Sequence, residues 1–173
     1  MSFAQKYSSF SKRGLFVFFV LSSIHALCCA QGTNQDPFAK AGFSEDPLVL
    51  PTELPKSENL KFFRPSAETA LQFAIDSKSL KIGKDGVLRY VVVITNPNGT
   101  QQIKFEGILC ESFEYKVFAI LQENQSWKIS PDSSWKLIPN QGYNQYQAAL
   151  GRGGFCVGES ANANFNQIFE TLR

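Results

Sequence analysis

Three carboxylates stand close together in the chain: Glu106, Glu111 and Glu114. Paired carboxylates act as acid and base where burial drives their pKa values apart. Glu106 falls four positions before Cys110, on the same face if the segment is a strand. The competing expectation is that charges on strands and turns face water, and it is the one adopted for these residues. A second candidate set is aromatic. Trp127, Trp135, Tyr143 and Tyr146 would mark a binding face if exposed, but such residues are more often core or partly buried. The nearest Gly-rich stretch, Gly151-Arg152-Gly153-Gly154, could hold an anion; it follows no apolar strand and reads as a turn between helical pieces.

The inventory is as informative for what it lacks. The chain of 173 residues has one histidine, His25, four cysteines and two tryptophans. His25 lies inside an apolar run from Leu15 to Leu27 that follows Lys6, Lys12 and Arg13. A basic stretch, a short apolar run and small residues at Cys28 and Ala30 read as a signal peptide over residues 1–30, with Gln31 starting the mature chain. The apolar run is too short for the roughly 20 residues of a membrane-spanning helix. A lipid anchor on Cys28 or Cys29 is the alternative, against which stands a poor match to the lipidation pattern. Cleavage would remove the histidine and three basic residues. It would leave 143 residues, with 14 Lys and Arg against 15 Asp and Glu. The whole-chain charge of +2 therefore makes no case for nucleic acid.

A chain without histidine has no Ser-His-Asp or Cys-His catalysis of the usual build, and no His-bearing zinc or iron site. The sequence has neither a G-x-x-x-x-G-K-[ST] loop nor a G-x-G-x-x-G fingerprint. No cofactor and no metal are expected. Cys110 and Cys156 survive cleavage, and two cysteines in a small exported domain usually pair. A bridge closing 46 positions would stabilise by about 4 kcal/mol in the chain-entropy picture. The long spacing and the lack of a C-x-x-C motif argue against a redox pair.

The elements that would position these residues follow from composition. Residues 31–59 carry Pro37, Pro47, Pro51 and Pro55 and read as an extended arm, with Leu48-Val49-Leu50 as a piece that could dock. Residues 60–173 read as a single domain. Short strands are expected around Phe62-Phe63, Phe73-Ala74-Ile75 and Ser79 to Ile82. Val87 to Thr95 is the clearest strand, and Asn96-Pro97-Asn98-Gly99 turns it into Gln102 to Cys110. In that partner, Ile103, Phe105, Gly107 and Leu109 alternate with Lys104, Glu106 and Ile108, as in a half-buried antiparallel strand. Glu114 to Gln122, Trp127 to Ile129 and an extended Trp135 to Ile138 continue the series. Tyr143 to Leu150 and Asn162 to Leu172 have helical spacing, with Asn162 as the expected cap. The class is α+β: an antiparallel β-meander sheet with C-terminal helices packed on one face and one disulfide.

The order of Phe73 to Leu80, Gly83, Asp85-Gly86, Arg89-Tyr90, Phe105 to Glu111, Trp127, Trp135, Gln145 to Leu150 and Phe155-Cys156 resembles the cryptic neisserial protein family over roughly residues 47–173. That resemblance implies an exported protein of Gram-negative bacteria, periplasmic or lipid-anchored to the outer membrane, without an assigned activity. By pattern alone the chain is also similar to surface-adhesin protein E-like domains, which implies a small binding module at the cell surface. The expectation is a non-enzymatic binding or envelope-accessory protein acting on an unidentified envelope protein or ligand. It touches the membrane only through a lipid anchor, if it has one. Two alternatives stand beside it: a structural envelope protein docking through its N-terminal arm, and a carboxylate-based envelope enzyme.

Overall fold

Val-rich and aromatic segments supply the strands of one antiparallel sheet. The computed structural model describes residues 42–66, 68–139 and 146–172. These belong to the second of two units into which the chain divides, Lys40–Arg173; the signal-peptide and lipid-anchor readings and Tyr143 lie outside the described residues. Strands β1 (Leu60–Phe63), β2 (Gln72–Asp76), β3 (Lys81–Ile82), β4 (Leu88–Thr95), β5 (Gln101–Leu109), β6 (Glu114–Leu121), β7 (Trp127–Ile129) and β8 (Lys136–Leu137) form the sheet. Its order is β1-β2-β4-β5-β6-β7, with β3 beside β4 and β8 beside β6. Every pairing is antiparallel, as a meander requires. Helices α1 (Tyr146–Leu150) and α2 (Phe165–Thr171) follow, separated by a π-helical turn at Gly151–Phe155 and a small hairpin of β9 (Cys156–Val157) and β10 (Ser160–Ala161).

The helices cover one face. Leu88, Tyr90, Val92, Ile94 and Ile108 pack there with Tyr146, Leu150, Phe155, Ile168 and Leu172 in one apolar cluster. Alternation along the strands sends Val87, Val91, Phe105 and Leu109 to the opposite face, where they meet Phe118 and Ala119. The expected half-buried pattern is corrected here. Both faces are covered: every residue of β5 from Phe105 to Leu109, the strand expected to be half-buried, is buried, as is every residue of β4 from Leu88 to Ile94. The cover on the second face is the N-terminal segment, whose Phe43 and Leu50 pack against that cluster beside Trp127 and Trp135. A sheet buried on both sides needs continuous apolar strands, which explains why VLRYVVVIT does not alternate.

Two local details also depart from expectation. Asn162 does not cap α2. The cap is Asn164, whose side chain accepts from the Gln167 N–H. Asn162 is buried and ties the loop instead, donating to the Gly154 carbonyl and accepting from the Asn164 N–H. The Cys110–Cys156 bridge is present, with its Cα atoms 5.6 Å apart. It joins the end of β5 to the start of β9, so the helical layer is fastened covalently to the sheet.

Candidate functional site

Two places gather polar chemistry, one on each face of the sheet. The first surrounds Glu106. It lies where β5 and β6 slip register, Phe105 facing Ala119 and Glu106 facing Val117, so that Phe118 is the extra residue of a β-bulge. Bulges of this kind re-aim side chains. Glu106 points under α1 and is fully buried. This overturns the expectation of a solvent-facing charge. The physical reason is a ready set of donors. The Tyr146 hydroxyl donates to Oε1 at 2.5 Å, and the Tyr90 hydroxyl to Oε2 at 2.9 Å. The Gln147 amide reaches Oε2 at 3.4 Å. Burial pushes the carboxyl above its ordinary range, while the tyrosines, Lys104 and Gln147 pull the other way. Burial also lifts both phenols well above their usual value, so they remain donors. Glu106 gathers neither of the other two carboxylates: Glu111 is exposed, and Glu114 is half-buried and accepts from the Ser112 hydroxyl.

The second place is a cleft of about 1170 Å³ between the N-terminal segment, from Asp46 to Asn59, and the stretch from Asp76 to Lys84. Arg89 and Phe105 close it on the sheet side. Phe105 precedes Glu106, so the carboxyl points to the other face and is not among the residues lining the cleft. One wall is locked to the sheet by charge. Arg89 grips Asp85 through two bonds of 2.9 and 2.6 Å, with both side chains buried. Burial alone would raise Asp85, but the Arg89 fork and the Asp46 and Val87 N–H groups hold it below the usual carboxylate range. Asp46 closes the lock: its N–H donates to Asp85 at 2.9 Å, and its carboxylate accepts from the Lys84 N–H at 2.7 Å. Gly83 makes room for this. A Cβ there would come within 2.7 Å of the Asp46 carboxylate and 2.5 Å of Arg89.

The aromatic candidates separate accordingly. The Trp135 indole donates to Glu45 at 3.0 Å and meets Phe43 edge-on, and Glu45 also pairs with Lys116 at 2.8 Å. The Trp127 indole donates to the Pro51 carbonyl at 3.0 Å. Both tryptophans therefore hold the N-terminal segment. Tyr146 is buried beside Glu106. The Gly-rich stretch forms the π-helical turn, where Gly154 adopts φ 123°. No cluster of three potential metal ligands occurs among the described residues.

Sequence reading missed the cleft and the buried state of Glu106. Tyr90 and Tyr146 lie 16 and 40 positions from Glu106, and Asp46 lies 39 from Asp85. The one local signal was Glu106 itself, a charge inside a run of apolar residues. No helix among the described residues is long and apolar enough to cross a membrane. Neither the curated proteins nor the solved structures provide a match. The family model that does match spans residues 38–173, which includes both walls of the cleft, the Glu106 cluster and both bridged cysteines, and the chain belongs to the CNP1-like family, a family of unknown function.

Proposed function

We propose that this is an exported binding module of the bacterial envelope, without catalytic activity of its own, whose ligand occupies the cleft between residues 46–59 and 76–84. The observation that carries the reading is the cleft itself, wide enough for a ligand and walled by a segment clamped through Asp46, Glu45 and Pro51. A disulfide across 46 positions suits an oxidising compartment. The family match is compatible with the resemblance to cryptic neisserial proteins, hence with a periplasmic or lipid-anchored protein of Gram-negative bacteria. Residues 43–51 are held to the sheet through Phe43, Glu45, Leu50 and Pro51, which favours a wall of a site over a tether for a larger complex.

Burial of Glu106 favours a second reading, a carboxylate enzyme. Against it, both carboxyl oxygens are taken by Tyr90, Tyr146 and Gln147, and the group faces away from the cleft. A carboxyl so enclosed is suited to holding α1 on the sheet.

A photo-crosslinking residue at position 54 or 81, introduced into the chain expressed in a Gram-negative host, tests the binding reading. Adducts at these positions that are absent from position 137, an exposed site outside the cleft, are expected. Equal labelling at all three would remove the cleft as the site. Intact mass of the recovered protein tests export: a start at Gln31, about 2 Da below the reduced form, is expected for a cleaved and bridged chain.

A further inference from the structure

The cleft borders a place in the sheet where a strand is missing. β2 and β3 lie end to end along the same side of β4. β1 flanks β2, and its last tie in that direction is the Ser77 N–H to the Asn59 carbonyl at 2.9 Å. Upstream of Asn59 the chain turns through Ser57–Asn59 and leaves the sheet, so among the described residues no strand pairs with β3 on the side away from β4. The antiparallel ladder fixes what β3 presents there. Lys81 pairs with Arg89, and the Gly83 N–H donates to the Val87 carbonyl at 3.0 Å. Ile82 lies between these two positions, so its own N–H and C=O point away from β4, toward the cleft it lines. No turn, loop or side-chain hydrogen bond among the described residues takes either group.

Charge selects the occupant. Lys81 lies on β3 and Lys78 and Lys84 in the turns on either side of it; all three are exposed and line the cleft, and none forms an ion pair among the described residues. Of the carboxylates lining the cleft, Asp46 accepts from the Lys84 N–H, Asp76 from the Lys78 N–H, Glu53 pairs with Lys56 at 3.9 Å, and Glu58, farther from β3 in sequence, accepts from the Ser57 hydroxyl at 3.5 Å. Three lysines on an edge repel the same edge of a second copy. They complement carboxylates.

We propose that the Ile82 edge captures an extended acidic segment of a partner protein as an added strand, with the Ile82 N–H and C=O bonding its backbone and Lys78, Lys81 and Lys84 pairing with its carboxylates. This deepens the cleft reading and rests on it.

The test uses the purified exported protein with its disulfide intact and three end-capped hexapeptides. One alternates Glu with Val, one alternates Lys with Val, and one is the Glu-Val peptide N-methylated at alternate residues. The Glu-Val peptide is expected to bind and to shift the amide resonances of Lys81, Ile82 and Gly83. The Lys-Val peptide should bind at least about tenfold more weakly, and N-methylation should abolish the shifts, because it removes strand pairing and keeps the charge. Ile82→Pro deletes a donor the fold does not use and should abolish binding. Lys81→Glu, at an exposed position, keeps the test valid if the proline variant does not fold, and should weaken binding by about tenfold. Equal binding of the N-methylated peptide, or shifts elsewhere in the protein, would overturn the added strand. A small molecule crosslinked at position 54 or 81 in cells, with no peptide bound, would overturn this proposal and leave the cleft reading standing.

Discussion

A carboxyl group that has lost all contact with water must be neutral, or fully bonded, or both. Glu106 has three donors, and burial holds its pKa above the ordinary carboxylate value of 4.5. Raised in the folded state, the group favours folding most below the unfolded value, and that contribution is lost as pH rises through the folded value. Glu106→Gln keeps the shape of the neutral acid, and the tyrosine hydroxyls can turn to accept from its amide. The difference in unfolding free energy between wild type and Glu106→Gln is therefore expected to shift in favour of the variant as pH rises above about 4.5, then level off. Urea unfolding from pH 4 to 9 measures it, and a difference that does not change with pH would show that Glu106 titrates alike in both states. Glu106→Ala should cost roughly 3 kcal/mol or more at any pH, because it opens a cavity and strands two phenols.

At the scale of elements, the helical layer depends on few ties. α1 is five residues long, below the length at which a helix stands alone, and holds through Tyr146, Ala148, Leu150 and the Glu106 bonds. The disulfide is the covalent tie, and reducing it should lower stability by about 2–4 kcal/mol, read as the shift in urea midpoint with and without reductant. On the opposite face Gly83→Ala should cost about 1–3 kcal/mol, because the added methyl meets Arg89, Asp85 and Asp46 in one packed lock. The elements differ in how legible they were. β4, β5 and β6 are long and β-branched or aromatic, and their positions follow from composition. β9 and β10 have two residues each, joined by a turn with Gly158 at φ 60° and placed beside the bridge and the buried Asn162; strands this short leave no periodic pattern to read. The Cys110–Cys156 bridge was readable as the pairing of the two cysteines left once residues 1–30 are set aside. The Glu106 cluster was not, since alternation treats a charge as outward and its donors come from distant strands and helices.

At the scale of the whole molecule, the N-terminal segment is where cover, cleft and stability meet. Residues 43–51 shield Phe105 and Phe118 and form a wall of the cleft, yet they take no place in the sheet. They are held by Phe43 against Trp135, by Glu45 with Lys116 and the Trp135 indole, by Asp46 at the Gly83 turn and by the Trp127 indole on Pro51. The chain has only two tryptophans, and both contact this segment as well as Phe105 or Phe118 of the sheet, so intrinsic emission reports on its docking onto that face. Glu45→Ala removes the partner of one indole and one half-buried ammonium. It is expected to shift emission to longer wavelength and to lower stability by about 1–3 kcal/mol, with far-ultraviolet dichroism unchanged because no strand is lost. Asp46→Ala should shift emission less, since its bonds go to the Gly83 turn and Asp85 rather than to an indole. Emission and stability both unmoved in Glu45→Ala would mean that the tryptophans are shielded by the sheet alone, and residues 43–51 would then be a covering the fold can do without.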